Sequence, residues 1–213
     1  MEFTQLLQVV GDEPVFETGL LLAGPVDPAD VRRQLSRWCA TCRLIQLRRG
    51  LYMLAPPFQK IKPHPFVIAN HMVHGSYVSC QSALAHYGHI PEHVPAVTSV
   101  SAARPDHWRT PLGDFLFQHL KPELVHGYRR LALGSGQHAF VATPAKALLD
   151  LVHLQPAGDA ADYLAELRLQ ELERLDLGEL QRLADRTHRP KLQRAARRLT
   201  ALAGELGEEY ETV

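Results

Sequence analysis

Residues 27–54 have the sequence DPADVRRQLSRWCATCRLIQLRRGLYML, which predicts a helix, a short break and a tight two-stranded hairpin. Asp27 can accept a hydrogen bond as the N-cap, and Pro28 suits the first helical position because it has no N–H to leave unpaired. Asp30 lies in the first turn, where the helix dipole favours a negative charge. These local signals predict that a helix begins at Asp27.

The predicted helix has one apolar face, and its other faces are basic or polar. Apolar residues recur at spacings of three and four, which predicts a buried stripe of Val31, Leu35, Trp38 and Cys42. The other faces carry Arg32, Arg33, Gln34, Ser36 and Arg37. One side of the helix is expected to pack, and the other to present hydrogen-bond donors to solvent.

The predicted hairpin has two apolar strands, residues 44–47 and 51–54, joined by Arg48, Arg49 and Gly50. Glycine suits this turn because it adopts a positive φ without strain. A basic helix followed by an arginine-tipped hairpin is typical of a winged helix-turn-helix. In that motif the helix enters the major groove and the wing contacts the DNA backbone or the minor groove.

Basic residues are concentrated in the same region. Residues 31–62 contain eight Lys and Arg and no Asp or Glu, whereas the whole chain of 213 residues has 23 basic and 23 acidic residues. This local excess indicates a polyanionic partner, and double-stranded DNA is expected. The predicted DNA contacts are Arg32, Arg33, Arg37, Arg43, Arg48 and Arg49. Two alternatives stay open: the charges can simply face water, and a winged fold can serve protein contacts.

Two domains are predicted within an α+β fold. Residues 1–58 form the predicted winged helix-turn-helix domain, with short helices at residues 2–10 and 16–22 before the basic helix. The proline-rich residues 60–65 predict an extended connector. Residues 59–213 are expected to form a mixed α/β domain.

The second domain is expected to contain a small, largely antiparallel sheet packed by helices. Its strands are predicted at residues 97–100, 115–117, 128–133 and 139–141. Ser79 is predicted to cap one helix, and Thr143 with Pro144 to start another. Residues 160–206 predict a helical tail whose segments begin near Asp176 and at Pro190. The last segment has one apolar stripe, formed by Leu192, Ala195, Ala196, Leu199, Leu202 and Leu206.

A second basic cluster lies in this tail. The only acidic residue among its members is Asp185. The basic residues are Arg182, Arg186, Arg189, Lys191, Arg194, Arg197 and Arg198. Lys191, Arg194 and Arg198 share one helix face. They are predicted as a second contact to the DNA backbone. An equally open alternative is a solvated face that balances the acidic segment around Glu166, Glu171, Glu173 and Asp176.

The composition predicts a folded protein of the cytoplasm. No signal-peptide pattern and no long apolar run are present, so no membrane association is expected. Three cysteines argue against a secreted disulfide framework. Cys39 and Cys42 match C-x-x-C, and a zinc site would need the companion pair His71 and His74. The pair is instead expected to be ordinary residues at the end of the helix, with Cys42 buried. No metal and no cofactor are predicted.

Enzymatic activity is not expected, although a metal-dependent nuclease is kept as an alternative. His86, His89 and His93 have a helical spacing, but Gly88 and Pro91 would end the helix first. A nuclease needs carboxylates and a lysine around a divalent metal. The candidates are Asp106, Asp114, Lys146 and Asp150. That hypothesis requires Lys146 and Asp150 to meet a third acid in an open cleft.

Four blocks of the sequence resemble AbiEi-type antitoxins and related transcriptional regulators. In order, they are LSRWCATCRLIQLRRGLYML, IANHMVHGSYVSCQSALAHYGHIPE, TPLGDFLFQHL and ATPAKALLDLV. They cover most of residues 35–152, and GSYVSCQSALAHYG with AKALLD is the more specific part. The resemblance implies a winged domain that represses its own operon, followed by an antitoxin domain. It also implies a functional partner, a nucleotidyltransferase-like toxin of a type IV system, without requiring a stable complex.

The resemblance also assigns residues. It implies Arg32, Arg33 and Arg37 as groove-facing positions and Arg48 and Arg49 as the wing, on an operator with inverted repeats. Five further residues match the family blocks, which give them no agreed role: Tyr77, Ser79, Ser82, Lys146 and Asp150. The alternative from a different class is a protein-interaction or antitoxin module that does not bind DNA specifically.

Overall fold

The computed structural model describes the backbone of residues 1–91 and 94–211, and side chains up to residue 204. His93 and the side chain of Leu206, which enter the sequence analysis, lie outside the described residues. The described chain has an α+β fold, as predicted. A three-stranded sheet belongs to its N-terminal part, and a six-stranded sheet to the remainder.

The N-terminal unit contains α1 (Phe3–Val10), β1 (Phe16–Glu17), a 3₁₀ helix (Thr18–Leu22), α2 (Pro28–Ala40), β2 (Leu44–Arg48) and β3 (Leu51–Leu54). The strands are antiparallel in the order β1-β3-β2. The prediction of a helix over residues 16–22 was wrong at its start. Phe16 and Glu17 pair with β3 instead, and the Thr18 N–H donates to the carbonyl oxygen of Gly50 at 2.9 Å.

Helix α2 begins as predicted, because the Asp27 side chain accepts a hydrogen bond from the backbone N–H of Ala29 at 2.8 Å. Val31, Leu35 and Trp38 are buried, which confirms the apolar face. The prediction that Cys42 is buried was wrong. The helix ends at Ala40, and Cys42 lies exposed in the following turn with a φ of 54°.

The second unit has six α-helices, two 3₁₀ helices (Pro122–Leu124 and Leu172–Arg174) and six strands among the described residues. The helices are α3 (Pro65–Met72), α4 (Cys80–His86), α5 (Pro144–Leu154), α6 (Ala161–Glu166), α7 (Leu177–Arg186) and α8 (Pro190–Glu211). The strands are β4 (Tyr77–Val78), β5 (Ala96–Ser101), β6 (Asp106–Thr110), β7 (Gly113–His119), β8 (Tyr128–Ala132) and β9 (His138–Ala142). Helices α5, α7 and α8 begin where the capping residues predicted.

The six-stranded sheet has the order β6-β7-β5-β4-β9-β8. Its pairs β5/β7 and β4/β9 are parallel, and the other three pairs are antiparallel. The predicted largely antiparallel sheet is therefore mixed. The difference arises because the β6–β7 hairpin folds back so that its second strand pairs with β5. Strand β6 was not predicted.

Strand β3 joins the two units through its two faces. On one side, Tyr52 and Leu54 pack with the residues of α1 and α2. On the other side, Leu51 and Met53 belong to the large core of the second unit, together with Val15 and Leu47. The predicted boundary at residue 58 thus lies beside a buried apolar interface.

The proline-rich connector is held against the second unit by hydrogen bonds. The Gln137 side-chain amide accepts from the His64 N–H at 2.8 Å and donates to the Lys62 carbonyl at 3.0 Å. One side chain therefore binds both a backbone N–H and a backbone carbonyl of the connector. Within the described chain, no helix has the length and apolarity needed to cross a membrane.

Because the interface is apolar and buried, the two units are expected to unfold together. Met53→Ala, at a side chain that is 2% exposed, should cost about 2–5 kcal/mol of unfolding free energy. Exposed Val9→Ala is the control and should stay within about 0.5 kcal/mol. Urea unfolding followed by fluorescence in single-tryptophan variants, which retain either Trp38 or Trp108, should give coincident transitions. Separate transitions would contradict a shared core.

Candidate nucleic-acid interface

The exposed face of α2 carries three predicted DNA contacts. Arg32, Arg33 and Arg37 are all solvent-exposed, on the faces that do not pack. Arg33 forms an ion pair with Asp30, one turn earlier on the same surface. Arg32 and Arg37 form no ion pair with any residue that the structure describes. The helix therefore presents unneutralised positive charge to solvent.

Arg43 lies just beyond the end of this helix. Its guanidinium is 5.0 Å from the centroid of the Phe3 ring, a cation–π contact with α1. The side chain is exposed. The contact orients the guanidinium without cancelling its charge.

The two arginines at the hairpin tip have different environments. Arg49 is exposed. Arg48 is half-buried and donates from Nη2 to the carbonyl oxygen of His71 in α3 at 3.1 Å, and from Nη1 to the Arg49 carbonyl at 3.0 Å. The structure therefore anchors the hairpin to α3 through Arg48. Only Arg49 is available as a wing contact, so the geometry does not favour the prediction for Arg48.

The basic cluster of the tail is largely engaged within the protein. Lys191 Nζ donates to the carbonyl oxygens of Gln155 at 2.6 Å and His153 at 3.3 Å, at the end of α5. Arg194 pairs with the Asp159 carboxylate at 2.8 Å, and Arg198 donates to the Asp159 carbonyl. These side chains hold the loop after α5 against α8. Neither the predicted DNA contact nor the alternative of a solvated face identified these partners.

Four of the five family-block residues meet in one buried network. The Lys146 ammonium lies 2.5 Å from Asp150 Oδ1. Tyr77 Oη and Ser79 Oγ donate to Asp150 Oδ2 at 3.0 and 2.7 Å. Lys146 also donates to the Leu124 carbonyl oxygen at 2.8 Å. The ion pair therefore ties α5 to β4 and to the 3₁₀ helix Pro122–Leu124.

The network is almost inaccessible to water, since Lys146 is 4% and Asp150 is 2% exposed. Burial raises the pKa of Asp150, while Lys146 and the two hydroxyl donors oppose that shift. Burial, followed by the neighbouring Asp150 charge, raises the pKa of Tyr77 above its ordinary value. The Tyr77 hydroxyl therefore stays protonated and donates a hydrogen bond to the carboxylate.

Local sequence explains part of this arrangement. Lys146 and Asp150 are four residues apart on α5, whose N-cap Thr143 accepts from the Lys146 N–H at 3.3 Å. Ser79 is the N-cap residue of α4, as predicted, but its hydroxyl donates to Asp150 and makes no capping bond. The role of Leu124 was missed. Any residue supplies a carbonyl, so no side-chain pattern could have shown it.

Ser82 lies apart from the network. Its Oγ donates to the Ala96 carbonyl at 3.1 Å and accepts from the Thr98 N–H at 2.8 Å. The hydroxyl thus pairs with one backbone carbonyl and one backbone N–H near the start of β5. It fixes α4 to that strand.

The nuclease alternative requires an open cleft, and the Lys146–Asp150 pair is enclosed. The adjoining cavity measures about 10 Å³, close to the volume of a single water. Asp106 and Asp114 lie on the β6–β7 hairpin, where Asp114 is 3.1 Å from His107 Nε2. The described part of the chain contains no cluster of three or more His, Cys, Asp or Glu able to hold a metal. Lys146 and Asp150 therefore do not meet a third acid in an open cleft among the described residues.

Comparison with known proteins finds similarity to a solved structure. No known family profile matches the sequence, and no curated protein shows significant similarity. Among solved structures, the chain is similar to the RV2827C protein from Mycobacterium tuberculosis, at 18% sequence identity and a TM-score of 0.49. The similarity covers 94% of this chain and 80% of that chain. The resemblance to AbiEi-type antitoxins stays a prediction.

Removing one partner of the buried ion pair should strongly destabilise the fold. Asp150→Asn leaves the Lys146 ammonium without a counter-charge, at an expected cost of about 3–5 kcal/mol in urea unfolding. The double variant Lys146→Met, Asp150→Leu should recover much of that loss. Arg174→Ala, which breaks the exposed 2.7 Å pair with Glu171, should cost less than about 1 kcal/mol. An equal effect of Asp150→Asn and Arg174→Ala would contradict the assigned role.

Acidification should destabilise the protein through His126 and His153, which line the same small cavity. Burial lowers the pKa of both, and Lys146 and Arg186 lower that of His126 further. At mildly acidic pH the unfolded chain then binds more protons than the folded chain. The stability that the two neutral histidines contribute is therefore present above a pH of about 6.5 and is lost as pH falls toward their pKa values in the folded protein. The urea midpoint should fall less steeply in His126→Gln than in the parent. An equally steep fall in His126→Gln and in the parent would refute the assignment.

Proposed function

We propose that the chain is a DNA-binding transcriptional regulator whose N-terminal unit is a winged helix-turn-helix. The observation that carries the proposal is the order α1, β1, 3₁₀ helix, α2 and β2–β3 hairpin, with unpaired arginines on the exposed face of α2. In this motif the second helix of the pair enters the major groove and the hairpin contacts the adjacent backbone. The charge, the topology and the exposed surface all support the same mode of binding.

Within this proposal the arginines have distinct roles. Arg32 and Arg37 can donate in bidentate fashion to guanine edges or phosphates, because no described carboxylate occupies them. Arg33 can exchange its exposed pair with Asp30 for a phosphate at little cost. Arg49 contacts the backbone as the wing, and Arg43 adds positive charge beside the helix. Arg48 sets the position of the wing through His71 and does not itself contact DNA.

The basic cluster on α8 has no part in the proposed interface. Lys191, Arg194 and Arg198 already bind carbonyl or carboxylate oxygens of the loop after α5. Contacting DNA would require breaking those bonds. We therefore confine the proposed DNA contacts to the N-terminal unit.

The biological setting rests on the sequence resemblance alone. It predicts that the protein is the antitoxin of a type IV toxin-antitoxin system and represses its own operon at inverted repeats. A nucleotidyltransferase-like toxin would then be its functional partner. The alternative, an interaction or antitoxin module without specific DNA binding, is an outcome of the experiment below.

Fluorescence anisotropy with the duplex upstream of the protein's own reading frame tests the proposal, with a scrambled duplex of equal length as the control. The natural duplex should bind more tightly, and affinity should fall steeply with salt. Arg37→Ala and Arg32→Ala should each weaken binding, and loss of a phosphate contact should reduce the salt slope by about one. Equal, weak binding of both duplexes would favour the interaction module.

Arg48 and Arg49 provide a matched pair at the wing. Arg49→Gln should weaken DNA binding and reduce the salt slope without changing stability. Arg48→Gln should lower the urea midpoint, because the hairpin loses its bond to His71. Arg194→Ala should leave DNA affinity unchanged. A larger DNA-binding loss from Arg194→Ala than from Arg37→Ala would contradict the proposed interface.

A further inference from the structure

A second cavity lies between the C-terminal end of α3 and the first residues of β9. It encloses about 260 Å³ and is lined by His71, His74, Ser76, Tyr128, His138 and Phe140, among others. We call this cavity the β9 pocket. One wall is fixed by Asn70, whose side chain accepts from the Phe140 N–H at 2.6 Å and donates to the Phe140 carbonyl at 3.4 Å.

A buried hydroxyl without a partner lines the β9 pocket. Ser76 is 3% exposed, and its Oγ forms no hydrogen bond with any described group. Buried hydroxyls are nearly always hydrogen-bonded, because an unpaired one has lost its interaction with water. A ligand atom in the pocket would supply the missing partner.

Two exposed aromatic rings flank the same pocket. Phe140 is 47% and Tyr128 is 40% exposed, which is unusual for large aromatic residues in strands. Their ring centroids lie 5.7 Å apart, and Tyr128 is held in place by stacking on the buried Tyr77 ring at 4.6 Å. Rigid, solvent-facing rings are surfaces on which a flat heterocycle can stack.

The rim of the pocket is rich in donors. Arg130 pairs directly with Phe140 across β8 and β9, so both side chains project from the same face of the sheet. Arg130 is exposed and forms no ion pair with a described residue. The described lining residues include imidazoles and no carboxylate, and the Glu17 carboxylate lies behind one of them, 2.7 Å from His74 Nε2. The pocket therefore combines stacking surfaces, a buried hydroxyl and an adjacent positive charge.

We propose that the β9 pocket binds a nucleobase, with its ring stacked on Phe140 and one edge against Tyr128, whose ring is nearly perpendicular at 83°. Its polar edge is hydrogen-bonded to Ser76, and its attached phosphate lies near Arg130. The volume lies just below the roughly 300 Å³ at which drug-sized pockets begin, which suits one ring system. The base belongs either to a free nucleotide or to an unpaired position in a single strand, and the recognition chemistry is the same. The site uses none of the residues of the interface proposed on α2.

Calorimetric titration of the full chain with AMP, CMP, GMP and UMP tests the proposal, and ribose 5-phosphate is the control without a base. At least one mononucleotide should bind, about tenfold or more tightly than the control, because stacking supplies most of the affinity. A short single-stranded oligonucleotide distinguishes the two sources of the base. Tighter binding of the strand supports an unpaired base, and tighter binding of the mononucleotide supports a free nucleotide.

Variants locate the site. Phe140→Ala should weaken binding about fivefold or more, and Ser76→Ala roughly two- to tenfold. Leu20→Ala, which changes a residue of the N-terminal unit that is 44% exposed, should have no effect, and neither should Arg37→Ala. Circular dichroism checks that each variant is folded. Three results would overturn the proposal: no mononucleotide or strand binds at millimolar concentration, ribose 5-phosphate binds equally well, or Phe140→Ala binds like the parent.

Discussion

Burial of β3 on both of its faces is the constraint on which the arrangement of the two units depends. All four of its residues, Leu51–Leu54, are buried, so the run lacks the apolar-polar alternation of a half-exposed strand. Tyr52 and Leu54 close the N-terminal core, and Leu51 and Met53 close the larger one. The orientation of the hairpin is therefore fixed by apolar packing before any charged residue is considered. The different environments of Arg48 and Arg49 follow from that orientation.

The Lys146–Asp150 network has a comparable role inside the second unit, but its physical basis is different. Apolar packing tolerates small shifts, whereas a buried ion pair is stabilising only when each charge keeps its hydrogen-bond partners. Tyr77 lies on the central strand β4, Ser79 follows it at the start of α4, and Leu124 ends the 3₁₀ helix Pro122–Leu124. The network therefore specifies one arrangement of α5 on β4. Gly127 is constrained as well, because a Cβ there would approach Lys146 Cγ to 3.0 Å.

Sequence predicted well those features that depend on neighbouring residues. The starts of α2, α5, α7 and α8 follow from capping residues and prolines, and the hairpin follows from its glycine turn. It failed where partners are distant. Arg48 binds a carbonyl 23 residues away and Lys191 one 36 residues away, so charge patterns could not show which cations were already paired. The β9 pocket was missed for the same reason, since Ser76 and Phe140 meet only through the fold.

His71 has two neighbours that belong to different parts of the molecule. Its carbonyl oxygen receives the bond from Arg48, and its side chain lines the β9 pocket. The C-terminal end of α3 therefore contacts both the β2–β3 hairpin and the pocket. A ligand that shifts His71 would therefore also shift the β2–β3 hairpin, which Arg48 ties to it, and thermodynamic linkage makes that effect mutual.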